Sequence, residues 1–136
     1  MKTIQDLNNL SPSTLIGHLS IQFTAIGDDF LTAQMPVDER MLQPFGRMHG
    51  GAALALAETV ASAGSWAILD NERAMVVGSE VSASHVGAAR LGSTVIADGK
   101  LVHRGRLHHI WELTIKTNDN KPVSLCRITN TIIINP

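Results

Sequence analysis

The chain has 136 residues, 44% of them hydrophobic, with 11 basic residues against 12 acidic ones and a formal net charge of −1. That length fits one domain over residues 1–136, and the apolar fraction is too high for a disordered chain. The balanced charge, with no basic stripe, excludes the electrostatic footprint of a nucleic-acid binder.

A single cysteine, Cys126, excludes an internal disulfide and requires no oxidising compartment. Residues 1–20 carry neither the apolar run of a secretory signal nor an Arg-rich amphipathic pattern. A cytoplasmic location is the expectation.

The region from Asp6 to Leu19 reads as one or two short helical turns, with Ser11-Pro12 as a cap and first-turn proline. A hairpin follows: Ser20–Ile26 and Phe30–Met35 are strand-like, and Gly27-Asp28-Asp29 has turn composition. Pro36 stops the second strand. Residues 37–48 show no clear period and read as a loop with a turn of helix near Asp38–Leu42.

A long helix is predicted from about Gly51 to Leu69, ended by Asp70-Asn71. It is apolar almost all round, so it needs cover on more than one side. A membrane span is the competing reading. It fails because the segment is mostly Ala, Gly, Ser and Thr around a central acid, which costs about 2.5–3.5 kcal/mol to insert. Four strand-like segments come next: about Ala74–Val86, Ser93–Val102, His108–Thr117 and Pro122–Ile134. In the third, Trp111, Leu113 and Ile115 alternate with Glu112, Thr114 and Lys116, the pattern of a half-buried strand. Asn118 to Lys121 gives a hairpin turn. Short connections predict antiparallel neighbours. The whole is an α+β domain, a single antiparallel sheet of five to six strands curved around one long central helix. One curved sheet leaves part of that helix bare, which predicts a second subunit.

Between Arg47 and Asp70 the one fully charged side chain is Glu58. A buried, unpaired carboxylate destabilises a fold by several kcal/mol, so stability alone favours another residue here. Two readings stand: a structural Glu paired with an arginine or reaching solvent, or a carboxylate kept for catalysis. Ser62, four residues on, shares its helix face. Its hydroxyl is suited to holding a water or orienting the acid, and it also reads as a small packing residue. Gly50 and Gly51 stand where the helix begins. There the first N–H groups lack internal partners and point outward at the positive end of the dipole, an arrangement suited to an oxyanion. A flexible loop before a helix is the bland alternative.

Gln43, His49-Gly50-Gly51, Ala57-Glu58 and Ser62 together resemble the motif of the hotdog-fold acyl-CoA thioesterases. The likeness is nearest to the Arthrobacter-type 4-hydroxybenzoyl-CoA thioesterase branch with its acid on the central helix. Gly27-Asp28-Asp29, Met35 to Asp38, Gln43 to Gly46, Val76 to Gly78 and Ser84 to Val86 extend it over nearly the whole chain, toward the bacterial 1,4-dihydroxy-2-naphthoyl-CoA thioesterases of menaquinone synthesis. The resemblance implies hydrolysis of an acyl-CoA, aromatic in its acyl group, in a site between two subunits. It implies a dimer as the unit and a homotetramer as the assembly. Glu58 becomes nucleophile or general base, the Gly50 N–H with Gln43 polarises the carbonyl, His49 positions that region, and Ser62 holds the attacking water or assists acid release. An acyl pocket involving Phe45, Met48 and Val60 is expected.

Coenzyme A contacts are implied near Gly78, along His85, Val86, Gly87 and Ala88 with Arg90, and along His103, Arg104, Gly105, Arg106, Leu107 and His108. Gly87 departs from the relatives, which usually carry Arg after the His-Val pair. Solvated surface is the alternative for each basic residue. Coenzyme A is part of the substrate, and no other cofactor is expected. The six histidines give no trusted metal-ligand spacing, and His108 and His109, adjacent on a strand, should face opposite ways. A Gly-x-Ser-x-Gly elbow is missing, which argues against a serine hydrolase. The rivals are a hotdog hydroxyacyl dehydratase built on His49 and Glu58, and a non-catalytic acyl-CoA-binding module.

Overall fold

The computed structural model describes residues 1–10 and 12–135, so Ser11 of the expected cap lies outside the described residues. The first helix, α1 (Ile4–Asn9), is started by Thr3, whose hydroxyl accepts from the Asp6 N–H while the Asp6 carboxylate accepts from the Thr3 N–H. A single turn, α2 (Leu15–His18), follows. Strand β1 (Gln22–Ile26) starts later than the sequence suggests because Ser20 takes a left-handed φ of 55° between the helical turn and the strand. It pairs with β2 (Phe30–Pro36), and the expected turn of helix appears at Glu39–Met41, capped by Asp38.

The central helix, α3, runs Gly50–Ala67. Strands β3 (Ala74–His85), β4 (Thr94–Arg104), β5 (His108–Thr117) and β6 (Pro122–Ile134) complete the chain. All six strands form one sheet in the order β1-β2-β4-β5-β6-β3, every pair antiparallel. One expectation fails here: β3 and β4 are joined by only residues 86–93 yet are not neighbours, since β3 takes the far edge beside β6. Crossing two intervening strands spans roughly 14 Å. Eight extended residues reach about 26 Å, so the link is long enough. Register irregularities at Gly78/Glu80 in β3 and Leu101/His103 in β4 add local twist that bends the sheet around the helix.

The core lies between α3 and the concave face of the sheet. Trp111, Leu113 and Ile115 of β5 point inward with Leu31, Ala33 and Met35 of β2 and Val95 and Ala97 of β4. From the helix come Ala53, Leu56, Ala57, Val60, Ala61 and Gly64. Each large side chain so buried contributes about 1.5–3 kcal/mol. Small residues let the layers approach closely. A Cβ added at Gly64 would sit 2.5 Å from the Trp111 ring, and one at Gly99 would sit 2.9 Å from Val60.

The other half of α3 carries Ala55, Glu58, Thr59, Ser62, Ala63 and Trp66, all half-buried. Part of its cover comes from the N-terminal segment. Lys2 donates to the Trp66 and Leu69 carbonyls and stacks over the Trp66 ring, and Asn8 makes two bonds to the Phe23 backbone. Arg104 donates to the Ile68 carbonyl, so two cations meet the negative end of the helix. Among the described residues no helix is long and apolar enough to cross a membrane.

Candidate active site

The N-terminus of α3 is built by a loop whose bonds leave one donor over. The Gln43–Gly46 turn closes through Gly46 N–H to the Gln43 carbonyl, with Gly46 at a φ of 80°. The loop is pinned by His49 N–H to the Met41 carbonyl and Met48 N–H to the Ala89 carbonyl. His49 is the N-cap: its Nδ1 accepts from the Gly51 N–H at 2.7 Å, and its carbonyl accepts from Ala52 and Ala53. An amide N–H can only donate, so the imidazole proton lies on Nε2. Of this first turn only the Gly50 N–H has no partner among the described residues. Nearby, Gln43 turns its Oε1 back to the Phe45 and Arg47 N–H groups, which frees its Nε2 hydrogens. Gln43, Gly50, Ala53, His85 and Gly87 line a cavity of about 130 Å³ at this end. His85 packs against Gly50, where a Cβ would lie 2.5 Å from its Nε2, and its Nδ1 meets the buried Ser124 hydroxyl at 2.7 Å.

Glu58 stands two turns further along. Its carboxylate lies over Gly78 of β3, where an added Cβ would fall 2.1 Å from Oε1. It borders an apolar cavity of about 450 Å³ with Leu10, Leu15, Phe23, Ser62 and Trp66. Five ion pairs occur among the described residues, and none involves Glu58. Within the chain, therefore, no described arginine pairs with Glu58. Ser62, on the same wall, donates to Asn130 Oδ1 at 3.2 Å.

Three likenesses accompany this geometry. A putative esterase of Haemophilus influenzae is 39% identical over 132 residues, covering 96% of this chain and 94% of the relative. A 1,4-dihydroxy-2-naphthoyl-CoA hydrolase of Escherichia coli is 39% identical over 131 residues, with 96% and 95% covered. The crystal structure of a mutant thioesterase from Pseudomonas aeruginosa superposes with a TM-score of 0.94 at 35% identity, over 99% of this chain and 96% of that one. The thioesterase superfamily pattern matches residues 45–124, which hold the loop, the helix and its acid. The chain belongs to the thioesterase superfamily. It has the hotdog fold and is a thioester hydrolase.

Within one chain of this thioesterase the two halves of the predicted machinery are apart. Gly50 and Glu58 are eight residues from each other on one helix, roughly 12 Å along its axis, and they face different cavities. Gln43, His49 and Gly50 form one cluster, while Glu58 and Ser62 form the other. The residues matched to coenzyme A contacts divide likewise. His85, Val86, Gly87, Ala88 and Arg90 lie at the helix N-terminal end, where Val86 and Gly87 both donate to the Val123 carbonyl. His103, Arg104, Gly105, Arg106, Leu107 and His108 form the β4–β5 end, joined to the helix C-terminus by Arg104. Gly78 lies under Glu58. At Gly87 a Cβ would come 2.2 Å from the Pro122 carbonyl oxygen, so the arginine that the resemblance implies there does not fit this backbone.

Of the expected acyl-pocket residues, Met48 lines the smaller cavity with Gln43 and Gly50. Val60 is fully buried against the sheet, because its position on α3 faces the core, and Phe45 stands 87% exposed at the loop tip. The walls of the larger cavity beside Glu58 come from α1, α2 and Trp66, which no motif marked. Also missed was the buried cluster of Asn130, Ser65 and Trp111. Its signal was present: Asn130 interrupts the inward series Cys126, Ile128, Ile132 with an amide.

His108 and His109 do face opposite ways, exposed and buried respectively. Burial, then the nearby charges of Arg104 and His103, lower the His109 pKa and keep the ring neutral. Burial also pushes the Cys126 thiol up to about 11, so it is neither thiolate nor nucleophile. Among the described residues no three His, Cys, Asp or Glu side chains converge as a metal site.

Proposed function

We propose that this thioesterase hydrolyses an acyl-CoA with an apolar acyl group, aromatic in the benzoyl or 1,4-dihydroxy-2-naphthoyl manner, in a site completed by a second copy of the chain. The observation that carries the reading is Glu58, a carboxylate with no ion-pair partner among the described residues, on the wall of an apolar cavity. The Gly50 N–H and Gln43 Nε2 of one protomer would receive the carbonyl oxygen while Glu58 and Ser62 of the other face its carbon. The roughly 12 Å between Gly50 and Glu58 supports a shared site over a site within one chain. An exposed edge strand, β3, with Met75 and Val77 outward, supports pairing of two copies into a dimer. Pairing of dimers into a tetramer extends the same reading.

A thioester carbonyl has weak resonance and its thiolate leaves readily, so little acid assistance is needed. The chemistry needs charge stabilisation on oxygen and a base or nucleophile near carbon. With Glu58 as base, water adds to the carbonyl carbon and gives its proton to Glu58. The C=O π pair moves onto oxygen, the C–S bond breaks, and the thiolate takes the proton back. With Glu58 as nucleophile, its carboxylate adds to the carbonyl carbon, the C–S bond breaks to release the thiolate, and water then cleaves the acyl–Glu58 anhydride into the free acid and protonated Glu58, whose proton goes to the thiolate. Either way one water and one thioester give one acid and one thiol. A dehydratase is less well served, because the Nδ1 of His49 already accepts from Gly51 and cannot act as a base.

The test is thiol release from benzoyl-CoA and 1,4-dihydroxy-2-naphthoyl-CoA. Glu58→Gln should lower kcat by at least about a thousandfold with KM little changed. Mixed dimers of Glu58→Gln and Gln43→Ala protomers should regain activity, since one of their two sites then has neither lesion. Full activity of Glu58→Gln would refute the proposal; an inactive Glu58→Gln without recovery in mixed dimers would refute the shared site.

A further inference from the structure

Ser62 stands between two environments. On one side is the cavity that holds Glu58. On the other is a polar cluster the reaction scheme has not used, formed by Asn130 and Ser65, both with no exposed surface, and Trp111. The orientation of the Asn130 amide is fixed by what surrounds it. Its Nδ2 lies 2.9 Å from the Ala61 carbonyl oxygen, an acceptor with no hydrogen to give, so nitrogen is the end that faces it. The second Nδ2 hydrogen goes to Ser65 Oγ at 3.0 Å, which also accepts from Trp111 Nε1 at 2.9 Å. Asn130 Oδ1 is left facing Ser62 Oγ at 3.2 Å, and an amide oxygen cannot donate. Ser62 must therefore give its one hydrogen to the sheet. Toward the cavity it presents lone pairs only.

That polarity has a chemical consequence beside Glu58. Side chains four apart on a helix stand about 5–6 Å from each other, room for one water between them. A water there has two hydrogens and two acceptors, the Glu58 carboxylate and Ser62 Oγ. With both hydrogens engaged, its remaining lone pair is aimed away from the helix, toward the place where the carbonyl carbon arrives. Were the Ser62 hydroxyl free to rotate, it would donate to that water or to Glu58 and turn the lone pair aside or weaken the base.

We propose that Asn130 is a positioning residue for hydrolysis, acting through Ser62: by accepting the Ser62 hydrogen it makes Ser62 a pure acceptor that orients the attacking water. The inference rests on the reading of Glu58 given above, with its carboxylate as the base that activates the water. Ser65 and Trp111 act one step further back by holding the amide upright.

The experiment is a double-mutant cycle on the full-length protein, with thiol release from benzoyl-CoA as readout and melting temperature recorded for every variant. Asn130→Leu should lower kcat about tenfold, the effect of one hydrogen bond, with KM unchanged. In a Ser62→Ala background the same substitution should change kcat less than twofold, because its route of action is gone. Ser65→Ala, which leaves the sheet untouched, should give a smaller loss, about threefold, that also vanishes in Ser62→Ala. If Asn130→Leu does not fold, the Ser65→Ala cycle decides. Equal losses in both backgrounds would overturn the proposal, since a merely structural residue damages the fold with or without Ser62. A fully active Glu58→Gln would instead overturn the reading on which it rests, so the two failures are told apart by one further variant.

Discussion

Alanine at position 78 probes the seat of Glu58 without touching the acid. Gly78 lies on β3 directly under the carboxylate, and a Cβ there would stand 2.1 Å from Oε1 and 2.9 Å from Cδ. Real Cβ contacts do not fall below 3.0 Å, so the carboxylate must retreat by about 0.9 Å or more. The atom displaced is the tip of a flexible side chain, and Gly78 has no left-handed φ that alanine would resist. Folding stability should therefore change by less than about 1 kcal/mol, with the entropic gain of alanine over glycine offsetting part of the crowding. Catalysis is less forgiving: misplacing a reacting group by roughly 1 Å costs on the order of a hundredfold. Gly78→Ala should lower kcat for benzoyl-CoA about a hundredfold while its urea midpoint stays near that of the wild type. A folded Gly78→Ala with kcat within threefold of the wild type would refute the placement of the reacting acid.

The close approach of helix and sheet makes Gly64→Ala a stability test, since its Cβ would meet the buried Trp111 ring at 2.5 Å. Overpacking of this kind costs about 1–3 kcal/mol, to be read as a lowered urea midpoint; an unchanged midpoint would contradict the packing. His109 predicts a pH dependence of stability. Its folded pKa is lowered by burial, so well above the unfolded value of about pH 6.5 the folded and unfolded rings are both neutral and stability is complete. As the pH falls below that, the unfolded chain takes up a proton that the folded chain refuses. Stability then falls by up to about 1.4 kcal/mol per pH unit until the folded pKa is reached. His109→Leu should flatten the slope of unfolding free energy just below about pH 6.5; equal slopes would count against a neutral buried ring.

Local patterns told much of this thioesterase. Trp111, Leu113 and Ile115 alternate with polar residues because a half-buried strand has a period of two, so β5 could be read from residue order alone. Glu58 stood out because an acid within an apolar helix is costly unless it is used. The helix start was legible in His49-Gly50-Gly51, though not which of its N–H groups stays unpaired, since that depended on the His49 ring turning back to Gly51. Strand adjacency was not legible across 86–93: connection length bounds reach but does not choose an edge. The contacts of Arg104 with the helix end and of Gly87 with the Pro122 carbonyl likewise join residues far apart in the chain. Sequence by itself determined the element types and the singular acid, because both follow from local periodicity and from the cost of burying charge. Only the tertiary structure decided that Gly78 makes room for that acid, that α1 and α2 wall the cavity beside it, and that Asn130 takes the Ser62 hydrogen. Those are meetings between segments tens of residues apart, set by how the sheet bends around its helix.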